Sequence, residues 1–153
     1  MIVDVSTFLP IEPKAVEAQL KTSRLLLHVA APLVKFVPCD PIQLPELWEE
    51  GTYWVSLRLL GFIPLGRQAV VISYPKTQVG FALRDNGHSA LIAKWDHRIT
   101  IEPSGSGTLY RDYVTVEAGL LTLFVWAFAQ IFYRHRQRRW RQLVANNFDY
   151  GAT

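Results

Sequence analysis

A histidine and an aspartate on neighbouring predicted strands are the side chains best suited to acid–base chemistry. His97 shares an alternating apolar face with Trp95, and Asp112 shares the inner face of the following strand with Tyr110. A turn centred on Ser104-Gly105 places His97 directly opposite Asp112. A carboxylate that holds an imidazole in one tautomer makes that imidazole a general base. Two buried polar groups that only satisfy each other use the same arrangement, and we favour this structural interpretation.

The sequence lacks other patterns for catalysis or metal binding. Cys39 is the only cysteine, so it has no partner for an internal disulfide. It lies in a proline-rich stretch, and no base that could activate its thiol is assigned. The four histidines are far apart, without the spacing of metal ligands. The glycine turn at residues 61–66 lacks the lysine of a phosphate-binding loop. We therefore predict neither a metal site nor a cofactor.

The positive charge of the chain is concentrated in one segment. The 153 residues carry a net charge of +3 and are 50% hydrophobic. Five arginines fall within eight residues near the C-terminus, at Arg134, Arg136, Arg138, Arg139 and Arg141. The rest of the chain is net negative, which argues against a nucleic-acid partner. The single cysteine and the lack of a signal-peptide pattern predict a cytoplasmic protein. The length of the chain predicts one domain, residues 1–147, followed by a frayed tail, residues 148–153.

The most hydrophobic part of the chain is the predicted C-terminal helix, residues 118–145. Its first 16 residues carry no charge and are apolar on every side, so most of their surface must be covered. A bilayer normally requires about 20 such residues. We therefore favour a helix wrapped by the rest of the chain over a transmembrane helix. Its arginine-rich end is expected to be solvated, with weak contact to an anionic membrane through Arg134, Arg138 and Arg141 as an alternative.

The remaining segments alternate as strands do, apart from one helical stretch at residues 14–31 that reads as one helix or two. Asn86-Gly87 is a strong signal for a hairpin turn. The predicted strands span residues 2–9, 34–37, 52–60, 67–74, 79–83, 88–102 and 108–117. Tight turns between them imply antiparallel pairing. The sequence thus predicts an α+β fold, with a curved antiparallel sheet of about seven strands wrapped around the C-terminal helix.

Three segments, together with this element order, resemble a known superfamily. They are WDHRI at residues 95–99, TLYRD at 108–112 and YRHRQ at 133–137. They are similar to segments of the START-like, or SRPBCC, superfamily, which includes lipid-transfer domains, plant allergen-type carriers and aromatic polyketide cyclases. The resemblance covers nearly the whole chain. It implies the helix-grip fold and a ligand held between the sheet and the long helix.

Aromatic residues are numerous enough to line an apolar pocket in such a fold. The predicted ligand-binding residues are Phe81, Trp95, His97 and Tyr110 from the sheet and Leu121, Phe124 and Phe128 from the helix. The expected ligand is a hydrophobic or amphipathic small molecule that is lipid-, isoprenoid- or polyketide-like. One alternative is a cyclase or dehydratase that uses His97 and Asp112 as its acid–base pair. Another is a module that binds a membrane surface or a partner through the arginine-rich helix end.

Overall fold

The computed structural model describes residues 1–151, which form seven strands and three helices. The strands are β1 (Ile2–Leu9), β2 (Val34–Asp40), β3 (Gly51–Leu59), β4 (Ile63–Ser73), β5 (Phe81–Ser89), β6 (Lys94–Ser104) and β7 (Gly107–Glu117). The helices are α1 (Pro13–Leu20), α2 (Ser23–Ala30) and α3 (Thr122–Ala145).

The strands form one antiparallel sheet in the order β1-β7-β6-β5-β4-β3-β2. The two short helices connect the edge strands β1 and β2, and α3 packs against β1, β7 and α2. The predicted α+β helix-grip fold is therefore confirmed, with a curved antiparallel sheet and a long C-terminal helix against it.

The inner face of the sheet follows the alternation of the sequence. On β7, Tyr110, Asp112, Val114 and Val116 are all buried, as predicted, while the residues between them are more exposed. An antiparallel sheet with one apolar face needs an element to cover that face. The helix α3 supplies part of this cover, and the cluster of Val3, Val114, Val116, Ala129 and Tyr133 is where helix and sheet meet.

The helix boundaries differ in part from those predicted. Residues 14–31 form two helices, because Thr22 interrupts the segment and its Oγ1 accepts from the backbone N–H of Leu25 at 3.2 Å, a typical helix cap. The long helix starts at Thr122, later than the predicted residue 118, after a 3₁₀ turn at Gly119–Leu121.

Among the described helices, none combines the length and the hydrophobicity needed to cross a membrane.

The predicted hairpin turn at Asn86-Gly87 is wrong, because both residues lie inside β5. The chain turns after Ser89 instead, where the Ser89 N–H donates to the carbonyl of Ile92 at 2.8 Å. Gly87 is needed for packing between strands, since a Cβ at this position would lie 2.7 Å from the carbonyl oxygen of Ala69 on β4. A glycine inside a strand often marks such a close backbone approach.

The β6–β7 hairpin turns one residue later than predicted, at Gly105-Ser106 instead of Ser104-Gly105. His97 consequently lies opposite Val114 and not opposite Asp112. Because the register differs by two residues, the faces are unchanged, and both polar side chains still point to the inner side of the sheet. They become diagonal neighbours, which long side chains can still bridge.

The tail predicted after residue 147 packs against the domain instead of fraying. The hydroxyl of Tyr150 donates to Oε1 of Gln19 at 2.5 Å. The ring of Phe148 meets Trp140 edge-on, with 6.4 Å between ring centroids. These aromatic side chains anchor the end of the chain on the core. The last part of the predicted tail, residues 152–153, lies outside the described residues.

The close approach at Gly87 gives a test of the sheet. Gly87→Ala should lower the free energy of unfolding by roughly 1–3 kcal/mol, because the added methyl group overpacks the β4–β5 contact. The neighbouring Asn86→Ala changes an exposed residue of the same strand and should stay within about 0.5 kcal/mol. Urea denaturation of both variants measures this difference. Equal stability of the two variants would mean that β4 and β5 are not paired as described.

Candidate functional site

A cavity of about 400 Å³ lies between the inner face of the sheet and α3. This volume falls within the range of about 300–1,000 Å³ that small-molecule sites occupy. Its walls are mainly apolar and come from α2, from strands β2 to β6 and from α3. They include Leu25, Val34, Phe36, Leu57, Val70, Ile72, Leu83, Ile99, Val125, Phe128 and Phe132.

Exposed apolar side chains surround the mouth of the cavity. Leu65 (40% exposed) and Leu91 (65%) approach it from β4 and from the β5–β6 turn. Leu121 (46%) approaches it from the 3₁₀ turn before α3, and Phe124 (73%) approaches it from the first turn of α3. The expectation that the rest of the chain covers the apolar first half of this helix is therefore wrong. That half borders the open side of the cavity.

The second half of α3 is the part that the fold buries. The buried positions recur three or four residues apart and form one stripe along the helix. They are Ala129, Phe132, Tyr133, Arg136, Gln137, Trp140, Leu143 and Val144. The arginine-rich segment, expected to be solvated, thus contributes two polar side chains to the interior.

The cavity contains most of the predicted ligand-binding residues but not all of them. Phe81 does not line it, and its ring packs instead against Tyr74, with 5.7 Å between centroids. Tyr110 is fully buried behind the cavity wall, where it bonds to Asp112. The predicted residues that do line the cavity are Trp95, His97, Leu121, Phe124 and Phe128.

Asp112 is the centre of a buried hydrogen-bond network. Its Oδ1 lies 2.7 Å from Nε2 of His97 and accepts from the hydroxyl of Tyr110 at 2.9 Å. Its Oδ2 accepts from Nε2 of Gln137 at 3.0 Å, and the same Gln137 nitrogen donates to the carbonyl of Val5 at 2.9 Å. The network joins β6, β7, β1 and α3, and it leaves both carboxylate oxygens satisfied.

Burial and hydrogen bonding set the charge states of this pair. Burial lowers the pKa of the His97 imidazole and outweighs the hydrogen bond to Asp112, so the imidazole is neutral at pH 7 and donates from Nε2. Burial acts to raise the pKa of Asp112, but the hydrogen bond from His97, the charge of Arg136 and the hydrogen bond from Gln137 hold that pKa below its usual range. Asp112 is therefore an ionised carboxylate inside the protein.

Two ionisable cavity residues, Arg136 and Asp85, are missing from the sequence-based site. Arg136 is 6% exposed and lines the cavity from α3. Its position four residues after Phe132 and four before Trp140 places it on the buried stripe, which is the signal that could have identified it. Asp85 lines the cavity from β5, and its Oδ1 accepts from the N–H of Val71 at 2.8 Å. No pattern in the sequence distinguishes Asp85.

Three of the arginines remain on the outside of α3. Arg134, Arg138 and Arg141 are exposed. Arg134 bonds to Gln130 one turn earlier, and Nη1 of Arg141 donates to Oγ1 of Thr7 at 2.9 Å. Contact of these three side chains with an anionic membrane stays a prediction.

A family model described as a domain of unknown function, DUF8410, matches residues 48–144, which include β3 to β7 and most of α3. The chain belongs to the DUF8410 family. No sequence among the curated proteins matches it significantly.

Solved structures with the same architecture show that this DUF8410 domain has the helix-grip fold, which the START-like resemblance implied. A START superfamily protein from Mycobacterium smegmatis aligns with a TM-score of 0.63 at 11% identity, over 95% of this chain and 97% of its own. The AHSA1 protein from Silicibacter pomeroyi has a TM-score of 0.63 at 14% identity, over 96% and 99%. Protein TTHA0849 from Thermus thermophilus has a TM-score of 0.66 at 14% identity, over 96% and 99%. At these identities the likeness shows the fold, and it confirms the resemblance seen in the sequence.

The cavity wall contains a carboxyl group with an unusual charge state. Burial raises the pKa of Asp85 from 3.8 to about 7, and the hydrogen bond from Val71 only partly opposes this rise. The folded protein therefore binds a proton that the unfolded chain releases between about pH 4 and pH 7. Because the unfolded chain gives up this proton while the folded protein retains it, the stability of the fold falls as the pH rises through that window.

Asp85→Asn should remove this effect, because asparagine keeps the acceptor for Val71 but does not titrate. We expect the variant to gain roughly 1–3 kcal/mol of stability over the wild type between pH 4 and pH 8, after allowance for partial contact with cavity water. Urea denaturation across this pH range measures the difference. A difference that is constant with pH would show that Asp85 titrates as an ordinary carboxyl group.

Proposed function

We propose that this protein binds a hydrophobic or amphipathic small molecule in the cavity between the sheet and α3. The supporting observation is an apolar cavity of about 400 Å³ whose mouth is bordered by exposed Leu65, Leu91, Leu121 and Phe124. Apolar side chains rarely stay exposed as a group unless something binds there. The START-like resemblance implies a ligand that is lipid-, isoprenoid- or polyketide-like.

The energetics of the cavity favour such a ligand. Each CH₂ group that moves from water into an apolar site gains about 0.8 kcal/mol. The helix contributes aromatic surface at Phe124, Phe128 and Phe132, and the last two rings stack with 5.7 Å between centroids. This ladder of rings runs from the mouth toward the interior. A long apolar body can lie along it and cover side chains that otherwise face water.

Titration with an environment-sensitive apolar dye tests the proposal. The native protein should bind the dye saturably, with a negative heat-capacity change in calorimetry, because apolar surface is removed from water. Val125→Trp, which adds an indole on the cavity wall, should weaken binding about tenfold or more by filling the space.

The matched control is Leu123→Trp, which adds the same ring on the exposed side of the same helix. This variant should bind the dye as the native protein does. No saturable binding by the native protein, or equal loss in both variants, would contradict binding in the cavity.

A second candidate function is acid–base catalysis of the cyclase or dehydratase kind. The observation that favours it is the position of His97, which lines the cavity while Asp112 fixes its ring through Nε2. The lowered pKa of His97 keeps the imidazole neutral and able to accept a proton. Against it, Asp112 is fully committed to His97, Tyr110 and Gln137, as expected of a structural network.

His97→Gln separates the two functions. If the network is structural, the variant should unfold more easily, by about 1–3 kcal/mol, and keep dye affinity within about tenfold. Mass spectrometry should find any molecule that co-purifies with the native protein unchanged after prolonged incubation. Chemical conversion of that molecule by the native protein, lost in His97→Gln while binding persists, would establish the catalytic alternative.

A further inference from the structure

The cavity contains a buried guanidinium group whose hydrogen-bonding capacity is not used. Arg136 is 6% exposed, and its Nε is buried without a hydrogen-bond partner among residues 1–151. Within residues 1–151, the ion pairs within 4.0 Å do not include Arg136. A buried charge is normally paired, because leaving water without compensation is costly.

Other arginines of this chain show what is missing at Arg136. Arg84 makes a two-pronged contact with Asp96, at 2.7 and 2.8 Å, and Arg111 makes the same contact with Asp4. These pairs lie at or near the surface, where they contribute little to stability. The arginine that most needs such a partner faces the cavity instead.

The surroundings of Arg136 keep its charge without satisfying its N–H groups. Its guanidinium lies 5.7 Å from the ring centroid of Phe132 and 5.2 Å from that of Tyr133, within the range of cation–π attraction. Burial opposes the charge, but nearby acidic groups, including Asp112 and Asp85, outweigh it and raise the pKa of Arg136. Ring faces accept no conventional hydrogen bonds, so the planar donor fork stays available to a ligand.

The chemistry of that fork selects the ligand group. A guanidinium matches a carboxylate through two parallel hydrogen bonds, which are short and charge-assisted. The ionised Asp112 already provides one negative charge nearby, and Asp85 provides a second when it ionises. A doubly charged phosphate is therefore disfavoured, whereas a single carboxylate is acceptable, since Asp85 can take up a proton.

The position of Arg136 along the helix determines the rest of the ligand. Twelve residues separate Arg136 from Phe124 at the mouth, which corresponds to about 18 Å of helix. The lining rings of Phe128 and Phe132 lie between them. A molecule with one charged end and a long apolar body fits this arrangement, with its charged end deep in the cavity and its apolar end toward the mouth.

We propose that the ligand is a hydrophobic monocarboxylate, such as a molecule of the fatty-acid type, whose carboxylate pairs with Arg136. This inference rests on the proposed function, because it names the ligand class of the same cavity. It distinguishes the site from a general apolar pocket, which would favour neutral molecules.

The test compares decanoate with 1-decanol as displacers of the apolar dye at about pH 6, where decanoate is ionised and Asp85 keeps its proton. Burial alone favours the neutral alcohol, because an ionised carboxylate must leave water. With the Arg136 pair, decanoate should bind more tightly than 1-decanol by roughly tenfold or more. Arg136→Met should reverse this order, and Arg138→Met, an exposed residue of the same helix, should leave it unchanged.

Each result has a separate meaning. Displacement by 1-decanol that is equal to or stronger than that by decanoate in the native protein overturns the carboxylate inference and leaves the proposed function standing. Displacement by neither compound, together with no saturable dye binding, overturns the proposed function itself. If Arg136→Met does not fold, Arg136→Lys keeps the charge without the planar fork. It should weaken decanoate several-fold and 1-decanol little. Equal weakening of both would also contradict the pair.

Discussion

One buried carboxylate connects the helix to the sheet. Asp112 accepts hydrogen bonds from β6, from its own strand β7 and from α3, through His97, Tyr110 and Gln137. A carboxylate that is fully removed from water is tolerated only when it is well hydrogen-bonded and stabilised by nearby positive charge. Because Gln137 also bonds to Val5 of the edge strand β1, the network fixes the second half of α3 across that end of the sheet.

The cavity exists because only the second half of α3 is attached to the sheet, at the end formed by β1, β7 and β6. The sheet closes against Ala129, Phe132, Tyr133 and Trp140, and the first half of α3 extends beyond that contact. The opposite wall of the sheet, from β2 to β5, therefore faces the helix across a space that side chains do not fill. The same helix supplies structural polar groups at one end and a ligand surface at the other. Arg136 lies at the boundary between these two parts, which explains how a charged residue comes to face an apolar cavity.

The periodicity of the sequence was sufficient to predict the fold, and local turn signals were not sufficient to place its details. The inward set of β7 agrees with the structure, because burial on one face dictates that pattern. Residues 14–31 were open to one helix or two, and the structure has two. The Asn86-Gly87 pair does not form a turn, since Gly87 is required by the close approach of Ala69 on the preceding strand β4. The β6–β7 register was displaced by two residues, yet the His97–Asp112 contact survived, because a shift of two preserves the faces.

The candidate site was harder to predict than the fold, for a physical reason. Aromatic residues that fill a core and those that line a cavity have the same spacing, so Phe81 and Tyr110 could not be separated from Phe124 and Phe128. Arg136 was not predicted as a cavity residue, because it is one of five arginines within eight residues, and such a run is typical of a solvated helix end. Arg136 lies four residues from both Phe132 and Trp140, but this spacing identifies it as a buried residue only when the buried face of the helix is known.

Methyl NMR during a titration with decanoate tests whether a ligand occupies the space between the sheet and α3. A ligand in the cavity should cause shifts and contacts at Leu57, Val70, Ile72 and Val125, which line it. The methyl groups of Val3, Val114 and Val116, in the contact between helix and sheet, should change little. Ligand contacts confined to the exposed Leu123 and Ile131, with the cavity methyl groups unaffected, would contradict binding in the cavity.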